Sequence, residues 1–119
     1  MKFIATILAA IMAFAALATA DSYPFGAQCL TNHPNIYTAI NLFCTKKDMV
    51  VPSSYTNAGK SHNGKWVGIR GTCKPKQWVP QHYCVSQLQA VCAHAPANGN
   101  NQARYGRNGC QTFVTWTLG

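Results

Sequence analysis

Side chains able to move protons are scarce in this chain. Four histidines, His33, His62, His82 and His94, stand beside only two carboxylates, Asp21 and Asp48, and glutamate is absent. A histidine pair near a lysine can serve as acid and base, which is enough to cleave RNA through its 2′-hydroxyl. Nothing in the spacing singles out such a pair. His62 lies in a Gly/Asn-rich stretch, and His94 ends an expected helix, where an imidazolium is stabilised anyway. Glycoside hydrolysis by its usual route needs two carboxylates flanking the bond, and Asp48 is the sole acid away from position 21. Hard-cation sites need several anionic oxygens, and they are missing too. A Ser-His-Asp triad would have to use Asp48, and no Gly-x-Ser-x-Gly elbow is present. His82-x-Cys84 and Cys92-x-His94 have a superficial look of zinc ligation, but in an oxidising compartment such cysteines form disulfides. The residues point away from an enzyme and imply no metal or cofactor.

Binding chemistry is better supplied. The formal charge is +8. A uniformly basic protein is drawn to polyanions such as acidic lipid headgroups, nucleic acid or acidic glycans. Between Lys60 and Trp78 lie five cations, Lys60, Lys65, Arg70, Lys74 and Lys76, with Trp66 and Trp78 interleaved. Cations among aromatics suit anionic or sugar-bearing ligands through charge, cation–π and stacking contacts. One tryptophan is expected to pack, since large aromatics in small domains usually do, and the other to bind. Arg104, Tyr105 and Arg107 form a second, smaller basic-aromatic patch.

These groups need elements to hold them. Ile36, Ile40, Phe43 and Cys44 recur at three- and four-residue spacing behind Pro34, which predicts a helix with Lys46 and Lys47 in its last turn. A second helix opens at Pro80, with Cys84, Leu88, Val91 and Cys92 on one face. Met49-Val50-Val51 reads as a short strand stopped by Pro52. After the turn signal Asn63-Gly64, Val67 and Ile69 alternate with Trp66 and Arg70, placing the latter two away from the core. A final strand runs from Gln111 to Leu118. Residues 21–32 read as an extended arm, 52–64 as a loop, 74–80 as a connector and 96–109 as a long polar loop. The expected fold is α+β: about two helices packed on a short antiparallel sheet.

Residues 1–20 read as a secretion signal. Lys2 supplies the positive start, an Ala-rich apolar run follows, and Ala18-Thr19-Ala20 is a cleavage-type triplet. The mature part, 21–119, fits one small domain, and no later segment is apolar enough to span a membrane. It holds all six cysteines, Cys29, Cys44, Cys73, Cys84, Cys92 and Cys110, which in an exported chain implies three disulfides. Cys84 and Cys92 do not pair with each other, because eight helical residues rise about 12 Å and a disulfide needs Cα atoms within about 7 Å. The rest of the connectivity stays open.

The Ala-rich leader, the six cysteines and the unit Tyr105-Gly106-Arg107-Asn108-Gly109-Cys110-Gln111-Thr112-Phe113 together resemble the small cysteine-rich secreted proteins of filamentous fungi, among them effectors and antifungal or killer-toxin-like proteins. The resemblance implies an extracellular, monomeric, non-enzymatic protein. Its expected partner is an anionic or glycan surface, or a host protein, met through the basic-aromatic residues without stable membrane insertion. The competing expectations are a cationic toxin acting on membranes and, less favoured by the residues, a small secreted ribonuclease.

Overall fold

The computed structural model describes residues 23–119, so the expected signal at 1–20 lies outside the described residues. Helices α1 (Gly26–Asn32) and α2 (Pro34–Phe43) are followed by β1 (Val50–Val51), α3 (Ser54–Ala58), β2 (Lys60–His62) and β3 (Lys65–Gly71). Then come β4 (Gln77–Trp78), α4 (Gln81–Ala93), β5 (Asn101–Tyr105) and β6 (Gln111–Thr117). The main sheet is antiparallel in the order β2-β3-β6-β5, and β1 pairs with β4 as a separate ribbon. Helices α2 and α4 cover one face of the main sheet, and α1 packs on both of them. The fold is a disulfide-stabilised α+β sandwich.

The core is what the spacing predicted, extended by β1. Ile36, Ile40 and Phe43 of α2 meet Leu88 and Val91 of α4, Val67 and Ile69 of β3, and Phe113 of β6, with Met49 and Val51 closing one end. Phe113 shares its inward face with Thr115, while Trp116 and Leu118 stay about half exposed. The open carbonyls at the end of α2 are satisfied by Tyr55 Oη, 2.6 Å from Phe43 O, and by Gln81 Nε2, 2.9 Å from Cys44 O. Lys46 and Lys47 therefore lie just past this helix rather than in its last turn.

Four segments read as irregular contain ordered elements, and the expected loop at 52–64 holds both α3 and β2, whose Lys60–His62 pairs with Lys65–Val67. Residues 26–32 form α1 because Cys29, wholly buried, is bonded to Cys92 of α4. Residues 54–58 form α3 because Ser53 and Thr56 exchange hydrogen bonds in a capping box, and Gly59 leaves the helix at φ 65°. Residues 101–105 form the edge strand β5, held on one side only by β6. Within the connector, Gln77 and Trp78 pair with Val51 and Val50. The disulfides are Cys29–Cys92, Cys44–Cys84 and Cys73–Cys110. Both α4 cysteines are bonded to other elements, and no cysteine is left free.

Candidate functional site

The site begins with a two-residue turn. Asn63 and Gly64 take positive φ (48° and 79°), the conformation that lets β2 and β3 close as a tight hairpin. On its other edge β3 pairs with β6, setting Trp66 opposite Trp116 and Arg70 opposite Thr112, with Arg104 of β5 on the other side of Thr112. Side chains alternate along strands, so this set shares the face turned away from α2 and α4. The Trp66 indole donates to Ala58 O at 2.9 Å and lies against Gly59 and Gly68, where a Cβ would collide with its ring. The Arg70 guanidinium sits 5.6 Å from the Trp66 ring, a cation–π distance.

Past Arg70 the sheet ends in a cleft. The Cys73–Cys110 disulfide joins the segment after β3 to the turn before β6, and Thr72 N adds a 3.0 Å bond to Cys110 O. Gln77 Oε1 accepts from Arg107 N at 3.2 Å and from Gln111 Nε2 at 3.0 Å, tying the same two segments again. The turn uses Asn108 and Gly109 at φ 59° and 66°, which brings Arg107 round toward Arg104. Arg70, Lys74, Arg104 and Arg107 line a cleft of about 550 Å³. A neighbouring recess of about 530 Å³ shares Lys74 and Arg107 and adds Lys76 and Trp78.

No carboxylate lines either hollow. Asp48, the only acid among the described residues, pairs instead with Lys46 at 3.1 Å, and the hydrogen bond from Lys46 holds its carboxyl below the usual carboxylate range. The five cations thus face the solvent without internal neutralisation. None of the four histidines lines the cleft.

No protein family, curated protein or solved structure matches this chain.

The two basic-aromatic patches, separate in sequence, form one surface. Of the expected residues, Arg70, Lys74, Lys76, Trp78, Arg104 and Arg107 come together, and Trp66 adjoins them through Arg70. Two do not join them. Lys65 lies at the far end of β3, about 17 Å from Arg70 by strand rise, with Nζ 2.8 Å from Thr117 Oγ1. Tyr105 turns inward, its ring edge-on to Phe113 at 4.9 Å, and burial pushes its phenol above the usual range. Trp116 was not singled out by sequence, although its parity in β6 with Val114 and Leu118 opposite Trp66 marks it as outward. Exposed Tyr83 was missed as well, since one aromatic on a helix carries no signal by itself.

Proposed function

We propose that the mature chain is an exported, non-enzymatic protein that binds an anionic component of a cell wall or host surface through its basic-aromatic face. Three disulfides in so small a domain are typical of extracellular proteins. The observation that carries the reading is the convergence of Arg70, Lys74, Arg104 and Arg107 on one cleft that contains no carboxylate. Like charges gathered in a concave site raise the local potential and attract counter-charged ligands. An effector-like role for a filamentous fungus fits such a protein.

A second reading, a cationic toxin acting on membranes, draws support from Trp116 and Leu118, half exposed beside Arg70 on the outer sheet face. Tryptophan and cations favour a lipid interface.

The test is titration of the oxidised mature protein with soluble acidic polysaccharide and with anionic vesicles, at low salt and at about 150 mM salt, where exposed charges are screened beyond about 8 Å. Polysaccharide binding that survives the higher salt and is lost in an Arg104→Gln/Arg107→Gln variant is the expected result. Vesicle binding with no polysaccharide binding would transfer the function to the membrane.

A further inference from the structure

Beside the cationic recess lies a third hollow of different character. It holds about 320 Å³ and is lined by Trp78, Tyr83, Pro80 and the amide side chains of Gln77, Gln87 and Gln111, with no charged residue. Trp78 is 62% exposed and Tyr83 49%, an unusual display for aromatics in a domain with a closed core. Neither ring is loose decoration. Trp78 Nε1 donates to Lys47 O at 2.9 Å, and Tyr83 lies against the His82 ring at 4.2 Å. The Gln77–Gln111 amide pair is held in place where Gly106, at φ 80°, leaves no room for a Cβ beside Gln111.

Aromatic rings with amide groups between them suit a pyranose ring, whose C–H face stacks on the rings while its hydroxyls bond the amides. Anions have nothing here to pair with. The hollow shares Gln77 and Trp78 with the Lys74–Lys76–Arg107 recess, so one chain can enter both. We infer that the Trp78–Tyr83 hollow is a sugar subsite adjoining the cationic cleft, and that the ligand is an acidic polysaccharide: a pyranose chain whose successive rings carry carboxylate or sulfate groups. This rests on the reading proposed above and narrows it to one ligand class.

The test compares wild type with Tyr83→Ala and Trp78→Ala against three probes: an oligogalacturonate hexamer, a heparin hexasaccharide and linear polyphosphate. Polyphosphate offers charge without a pyranose. Each aromatic variant should weaken oligosaccharide binding by about tenfold, the size of a lost stacking contact. Tyr83→Ala, which lines only the uncharged hollow, should leave polyphosphate binding unchanged, and the loss of oligosaccharide binding should be equal at low and high salt, since stacking is not screened. Unchanged oligosaccharide affinity in Tyr83→Ala, or equal loss of polyphosphate, overturns the subsite while the cationic cleft stands. Wild-type binding to polyphosphate but to neither oligosaccharide overturns the polysaccharide assignment while the cationic cleft stands, and failure to bind any of the three probes overturns the parent reading.

Discussion

Arg70 of β3 and Arg104 of β5 oppose the same residue, Thr112 of β6, from its two sides. Two strand spacings put their backbones about 10 Å apart on one face, a gap an anionic group bridges when both guanidinium groups lean inward. Replacing either arginine with glutamine should lower polyanion affinity about tenfold, as expected for a charge-assisted hydrogen bond. Isothermal titration of Arg70→Gln, Arg104→Gln and the double variant tests this. A double variant that loses the full product of the two single effects would mean that the arginines contact separate anionic groups instead of sharing one.

The Cys73–Cys110 bridge closes a loop spanning 37 residues. Loop-closure entropy assigns such a bridge about 4 kcal/mol. A Cys73→Ser/Cys110→Ser variant should therefore unfold at markedly lower denaturant and lose polyanion binding before it unfolds, because the cleft walls part first. Parallel chemical denaturation and binding curves check the order of events.

Gly68 lies under the Trp66 indole. Gly68→Ala should cost about 1–3 kcal/mol, the usual penalty of overfilling a packed position. Trp66 fluorescence should shift as the ring is lifted, and thermal unfolding should fall with it. An unshifted melting temperature would show that the indole has room to move.

The capping box of α3 joins Ser53 to Thr56, and Thr56 is fully buried. Loss of the cap in Ser53→Ala should cost about 1 kcal/mol, read as a lower denaturation midpoint with polyanion affinity retained.

The phenol of Tyr105, raised by burial, stays protonated in the folded state where an unfolded tyrosine has already ionised. Its contribution to stability is complete below about pH 10 and is lost as pH rises through the folded-state value. Absorbance titration near 295 nm should show a late-ionising component that disappears in Tyr105→Phe.

Much of this architecture was legible in the sequence because its main elements each bury one face. Ile36, Ile40 and Phe43 mark α2, Cys84, Leu88 and Cys92 mark α4, and Val67 with Ile69 marks β3. Elements α1 and β5 left no such trace. Helix α1 buries Cys29 while Leu30 stays exposed, and β5 turns only Asn101, Ala103 and Tyr105 inward. Helix α3 announced itself only through Ser53 and Thr56, a capping box closed by threonine in place of glutamate. The cations were equally plain as two separate patches. Their meeting was not, because it depends on β3 and β5 both pairing with β6 and on Cys73 choosing Cys110, and spacing alone left both open.

The seven-residue pairing of β3 with β6 decides both what is hidden and what is displayed. A slip of one residue would present Val67 and Ile69 to water and bury Trp66 and Arg70. Retention on a polyanionic resin thus reports strand pairing as well as affinity. Eluting a reoxidised preparation through such a column sorts correctly paired molecules from scrambled ones, with no need for a biological assay.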